Sequence, residues 1–554
     1  MNGMPKSTRH GDSASPAGRY LKVLFAGAAC ALLTSCTSWF APAQYDDYVG
    51  PLSPEAPKRT SIPGIPVPAK PQETPKLPEA GPVEVSVPDA ILVALQNNEA
   101  FQVQRYNPSI LATLVDQARA AFDPLLDATI SRMRQTTRFA TGGAPGSVST
   151  SSAGVSVTEF LPTGTTVVLS GTGSQTHLPT NVSQGSAGAN LSVTQSLLRG
   201  FGTAVNLATL RQAKINVEIS QYELRGFAEA LVAQVEEAYW AYLLAQKEMA
   251  IFTQSAKLAA DQLDETKEMV RVGKLAQTEL YSAEAELASR QEDLINGRSA
   301  LDTARLNLLR LINPRGEESW GREIVPKDQP AVTEGELEDV ASHVAVGLRM
   351  RPDLNEARLQ VQHGELDVVR TKNGLLPRLD AFVNFGRSGF SDTFTNSVNN
   401  MGKTSFNAGA GLNFEYPIGN RGPEAAYRSA KFSLEQARTA VDNLAQLVQV
   451  DVRTAYINVV RAKEQVAATA ATRKLQEQKT QAEIEKLRIG RSTTLLVAQA
   501  ERDLLQSQIN EVQAVINHMT SLVELYRLEG SLLERRGIAA PGREPVDISK
   551  ERRW

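Results

Sequence analysis

The chain has 554 residues, a formal net charge of −3 and an aromatic share of 6%. Length alone would allow three or four average domains, but Ala, Gln, Leu, Glu and Arg dominate long tracts, which predicts long helices rather than several compact globules. Basic and acidic residues are mixed throughout, so the chain carries no electrostatic footprint for nucleic acid, and no nucleic-acid partner is expected.

The N-terminus carries a processing signal. Arg19 and Lys22 precede the apolar run VLFAGAACALLTS, too short for a spanning helix and laid out like a secretory signal. It ends at Cys36, and Leu33-Thr34-Ser35-Cys36 resembles the bacterial lipobox, which implies cleavage before Cys36 and covalent lipid on it. No other cofactor is expected. Thr37 follows where a retention residue such as Asp would stand, and the resemblance then favours the outer membrane. Cys30 falls in the removed part, so the mature chain could form no intramolecular disulfide. From Ala41 to Pro88 prolines recur (PLSPEAPKRTSIPGIPVPAKPQETPKLP), a composition that favours extended, solvated backbone and reads as a tether.

Beyond the tether, a short helical stretch containing ALQNNEAF (Ala94 to Phe101) leads into a polar region. Its segments ATISRMRQ, GVSVTEF, TTVVLSG and ANLSVTQ leave room for four strands; the position of the extra hairpin around LPTG (Leu161 to Gly164) stays open. A long helical hairpin follows. Leu210, Val217, Leu224, Leu231, Ala238, Ala245 and Phe252 recur at sevens, and so do Leu280, Leu287, Leu294, Leu301 and Leu308 after the glycine in VGKLAQTELYSAEAEL, which predicts coiled-coil seams. At about 1.5 Å per residue, the stretch from Thr203 to Val272 makes a rod on the order of 100 Å long. Ala283, Gly297 and Ala304 alternate with the leucines and allow close helix approach.

The second half repeats this order. ALQNNEAF aligns with GLRMRPDL (Gly347 to Leu354) and PLLDA (Pro124 to Ala128) with PRLDA (Pro377 to Ala381) at an offset of 253. VEEAY (Val235 to Tyr239) aligns with VRTAY (Val452 to Tyr456) and Gly273 with Gly490 at 217, so the first copy is longer between these blocks. Two copies argue for one duplicated unit rather than a solenoid. Leu379, Ala381, Val383 and Phe385 predict one strand of the second copy. Phe406 to Tyr416, alternating with Asn407, Gly409, Gly411, Asn413 and Glu415, predict another, with one apolar and one polar face. The intervening GRSGFSDTFTNSVNNMGKTS reads as an exposed loop. Leu505, Val512, Met519 and Tyr526, interleaved with Ile509, Ile516 and Val523, form the last seam.

These features, with RPDLNEARLQVQHGELDVVRTKNGLLPRLDAF, QSLLRGFG (Gln195 to Gly202), YPIGNRG (Tyr416 to Gly422) and the two VG/IG tips, resemble the TolC-type outer-membrane efflux proteins from roughly Val85 to Leu532. The resemblance implies an α+β fold with two internal repeats per chain: a trimeric transmembrane β-barrel, four strands from each chain, continued by a long periplasmic α-helical coiled-coil barrel. It implies an outer-membrane channel of a tripartite export system in a Gram-negative bacterium. The implied partners are two further copies of the chain, outer-membrane lipid, a periplasmic adaptor and, through it, an inner-membrane RND or ABC transporter that sets the cargo. The expected division is signal peptide 1–35, acylated cysteine and tether 36–84, first repeat 85–313, linker 314–338, second repeat 339–532 and tail 533–554.

By motif position, Val272, Gly273, Lys274, Ile489, Gly490 and Arg491 are the periplasmic hairpin tips that dock on the adaptor. The family's entrance is closed by acidic residues six and nine positions after the tip glycine. Glu279 matches, while Leu496 and Gln499 stand at the corresponding places of the second hairpin. No enzyme is expected: His10, His177, His343, His363 and His518 are scattered, and neither a phosphate loop nor a nucleophile motif is present. His343 and His363 are expected on helix surfaces. The rival reading, a lipid-anchored coiled-coil structural protein without a pore, has no use for two-faced strands.

Overall fold

The computed structural model describes residues 81–137, 146–178, 182–312, 320–331, 337–402, 405–489, 491–542 and 545–546. The signal segment with Cys36, nearly all of the tether, and Gly490 lie outside the described residues.

Strand β1 (Val83–Val85) precedes helix α1 (Val87–Asn97), whose start is fixed by a reciprocal cap: Asp89 N–H donates to the Ser86 hydroxyl, and Ser86 N–H donates to the Asp89 carboxylate at 3.2 Å. Helix α2 (Glu99–Arg119) is capped by Asn98, which accepts from Phe101 N–H at 3.0 Å. Four strands follow, β2 (Leu125–Thr137), β3 (Gly146–Leu161), β4 (Thr165–His177) and β5 (Ser183–Ser196). A short α3 (Thr203–Asn206) leads into α4 (Ala208–Arg271), whose 64 residues span about 96 Å, and α5 (Gln277–Ile312) returns alongside it.

Strand β6 (Ile324–Pro326), inside the expected linker, pairs in parallel with β1, and buried Val83, Val85 and Ile324 join the core. The second copy then runs α6 (Val340–Met350), α7 (Pro352–Gly374), β7 (Arg378–Ser391), α8 (Phe394–Asn400), β8 (Phe406–Glu415), α9 (Arg421–Arg488) and α10 (Thr494–Leu528), with a terminal turn α11 (Leu532–Arg535). The element boundaries reproduce both offsets: Leu125 and Arg378 begin their strands, Arg271 and Arg488 end their helices, and Gln277 and Thr494 begin the returning ones.

The predicted seams are the packed faces. Val217, Leu224, Leu231 and Ala245 are buried on α4, Leu308 on α5, and Leu505, Ile516 and Val523 on α10. One core cluster joins β1, α1, β6, α4 and α5; another joins α6, α7, α9 and α10.

Among the described residues the large sheet is antiparallel, in the order β2-β3-β4-β5-β7-β8. That is six strands where the resemblance implies four. The segment around LPTG is the turn of the hairpin β3–β4, inserted between the two strands that the second copy duplicates. Two sequence expectations are corrected. The stretch read as a loop, 386–405, contains the end of β7 and helix α8, because Phe394 packs over Gly173 and Thr393 over Gly185, where no side chain stands in the way. His343 is not a surface residue: it is 2% exposed, with Nδ1 2.5 Å from a Glu529 carboxylate oxygen.

Candidate functional site at the hairpin tips

Helix α4 ends as it does because Gly273 takes φ +74, a conformation that costs a residue with a Cβ free energy. Val272 is the last half-helical residue. Gly273 N–H donates to Val270 O at 3.0 Å and Lys274 N–H to Met269 O at 2.9 Å, the pair of bonds that closes a Schellman cap. The described residues of the second tip match the first. Ile489 occupies the position of Val272, and Arg491 N–H donates to Lys486 O at 2.8 Å, the counterpart of the Lys274 bond. Helix α10 then starts from Thr493, whose hydroxyl accepts from Leu496 N–H at 3.3 Å.

Both turns present apolar and cationic groups to solvent. Val272 is 51% and Ile489 67% exposed, and Gly273, Lys274 and Arg491 are exposed beside them. Leu495 and Leu496, on the first turn of α10, extend the exposed apolar surface. Solvent-facing aliphatic residues flanked by cations suit a protein surface rather than a small ligand.

Glu279 lies half-buried on the first turn of α5 and accepts a hydrogen bond from the Thr494 hydroxyl at the start of α10. It thereby ties the first hairpin to the second just behind the tips. A cavity of about 330 Å³ lies between the two hairpins, lined among others by Thr266, Glu286, Ser289, Thr494 and Arg502. At its side Arg290 is held 2.5 Å from Glu286, and Arg502 lies 3.9 Å from the other oxygen of Glu286.

Glu501, next to this group, has its pKa pushed up to about 7 by burial, with the Glu286 charge adding to the effect and Arg290 opposing it. Sequence spacing did not single out this cluster. Glu286, Arg290, Glu501 and Arg502 follow no family motif, and their meeting depends on how two hairpins distant in sequence lie together.

The other functional surface is the sheet. By pairing register, one face gathers Ala128 and Ile130 of β2, Leu191 and Val193 of β5, Val383 and Phe385 of β7, and Ala410 and Leu412 of β8. The opposite face gathers Thr129, Asn190, Ser192, Asn384, Gly409 and Asn413. Strands of 10 to 16 residues are long enough to cross a bilayer, and an apolar face opposite a polar one is what lipid on one side and water on the other select.

Residues 90–314 and 347–531 match the family described as Outer membrane efflux protein. The chain is 25% identical over 332 residues to the outer membrane efflux protein BepC of Brucella suis biovar 1 (strain 1330), covering 58% of this chain and 68% of that protein. It is 27% identical over 168 residues to the cobalt-zinc-cadmium resistance protein CzcC of Cupriavidus metallidurans, covering 29% of this chain and 38% of that one. The outer-membrane channel OprN superposes with a TM-score of 0.62 at 17% identity, over 80% of this chain and 90% of that structure. The Campylobacter jejuni CmeC outer membrane channel superposes with a TM-score of 0.59 at 16% identity, over 80% and 86%. The family match takes in both copies of the repeat and both long hairpins, and the chain belongs to the outer membrane efflux protein family.

Proposed function

We propose that three copies of this chain form the outer-membrane conduit of a tripartite export system, and that the two tips of each copy dock on a periplasmic adaptor joined to an inner-membrane RND or ABC transporter. As an outer membrane efflux protein the chain provides the exit across the outer membrane. The observation that carries the docking reading is the match between the described residues of the two tips: the same capping bond donated by Lys274 and Arg491 N–H, and an exposed aliphatic residue, Val272 or Ile489, before each turn. Glu279, bonded to Thr494, acts in this reading as part of the latch that closes the entrance until the adaptor engages. Residues 1–35 are removed on export, and 36–84 tether the body to lipid on Cys36. A pore-free structural protein would leave the two-faced sheet without a purpose.

The test is the double variant Gly273→Val with Gly490→Val. At Gly273, whose φ is +74, valine is tolerated poorly, at a cost of about 1–3 kcal/mol, and Gly490→Val makes the same change at the aligned position of the second copy. The sheet lies about 96 Å of helix away, so membrane insertion and assembly should persist while export and adaptor cross-linking fail. Export and cross-linking at the level of the unaltered chain would remove the tips from the mechanism.

A further inference from the structure

The inserted hairpin β3–β4 continues the two-faced pattern of its neighbours. Register places Val155 and Val157 of β3 and Val167 and Leu169 of β4 on the apolar face, in line with Ala128 and Leu191. Ser152 and Ser156 of β3 and Ser170 and Ser174 of β4 fall on the polar face. Along this apolar face Glu159 stands near the helices and Arg132 and Arg134 toward the far edge, while Arg387 lies further in, level with Ala189 and Val155. Charged groups flanking an apolar band are what a membrane-crossing surface shows, because long side chains reach the interface from there.

The hairpin is also fixed in the plane of the sheet. Strand β3 pairs with β2 and strand β4 with β5 along their lengths, so the insertion neither plugs the polar side nor hangs as a free flap. Its turn is seated on the segment by which β5 passes into α3. Ser196 N–H donates to Gly164 O at 3.0 Å, Gly202 N–H to Thr163 O at 3.2 Å, and the Asn206 side-chain amide to Pro162 O at 3.0 Å. Gly164 has φ +89, and a Cβ there would fall 2.3 Å from Gly200 O, so this seat requires glycine. QSLLRGFG thereby gains a role: it is the socket of the inserted hairpin.

From this we infer that each copy contributes six strands to the membrane wall and that, on the trimeric reading above, the barrel closes with eighteen strands rather than twelve. The partner on each open edge is a second copy of this chain. Strand β2 runs away from the helices and β8 runs back, so the free edge of β8 on one copy meets β2 of the next antiparallel, extending the apolar face without a break. An open sheet edge has no place in hydrocarbon, because its unpaired N–H and C=O groups find no water there. Barrel diameter grows roughly linearly with strand number, so the exit is about half as wide again as a twelve-stranded one. Six strands stand on only four helical connections, from α2, to α3, from α7 and to α9. The wall therefore flares outward from the helical tunnel.

Single-cysteine variants of the full-length protein in lipid vesicles test this, with the unaltered chain as blank. A fluorophore at Val155→Cys or Leu169→Cys should be quenched by nitroxide-bearing lipid and shielded from aqueous iodide. At Ser156→Cys or Ser170→Cys the pattern should reverse. Iodide quenching without lipid quenching at all four would put the hairpin in the lumen or outside the bilayer and overturn the inference. Copy number is read separately, from the mass of the detergent-solubilised particle. A mass other than three copies would overturn both the trimeric reading and the eighteen-strand count, whereas three copies with failed lipid quenching would overturn the wide barrel alone.

Discussion

Arg225 is fully buried on α4, where its guanidinium donates to Gly530 O at 3.0 Å and to both carboxylate oxygens of Glu534 at 2.7 Å, with Glu229 3.2 Å away. Burial works against its charge, but Glu534 and Glu229 outweigh that and raise its pKa further. Arg536 makes a similar two-pronged contact with buried Glu236 at 2.6 Å, and Glu529 sits between His343 and Arg535. These ions clamp α11 and the turn after it onto the helices of both copies. Seven-residue spacing revealed none of them, because a buried charge is legible only once its partner is placed beside it. Glu501 offers the residue-scale test. Its folded pKa of about 7 lies above the ordinary value of 4.5, so its contribution to stability is complete below about pH 4.5 and is lost as pH rises through 7. Melting midpoints of the purified protein should decline over that window. In Glu501→Gln the decline should be shallower; an unchanged slope would show that Glu501 does not titrate there.

At the scale of elements, the hairpin α4–α5 shows how a spacing becomes a contact. Gly297, one of the small residues between the leucines, meets Phe252 of the facing helix, and a Cβ at Gly297 would fall 2.6 Å from the ring. Gly297→Leu overpacks this crossing and should cost about 1–3 kcal/mol, read as a lower melting temperature, and Phe252→Ala in the same chain should recover part of the loss. Additive losses from the two changes would refute the contact. The seams of α4, α5 and α10 were legible because a period of seven runs along them. The short elements were not: β1 and β6 have three residues each and pair across 241 positions of sequence. Helix α8 depends on glycines of three neighbouring strands that give it room.

For the whole molecule, attachment to the membrane is expected at two places, the sheet and a lipid on Cys36. Cys36→Ala should abolish palmitate labelling and leave a larger, unprocessed precursor, while export falls only in part because the barrel holds itself in the bilayer. Unchanged labelling of that variant would refute the lipid anchor.

The sequence by itself determined the duplication, the long hairpins and the positions of both tips, since repeat offsets, heptad spacing and a glycine at a helix end are local patterns that hold wherever the segments lie. It also showed that strands with one apolar face were present. Only the tertiary structure decided how many strands share the sheet and where the inserted hairpin belongs. Alternation assigns a strand two faces but no neighbour. The neighbour is chosen by hydrogen-bond register and by the socket at Gly200 and Asn206, which no stretch of sequence contains by itself.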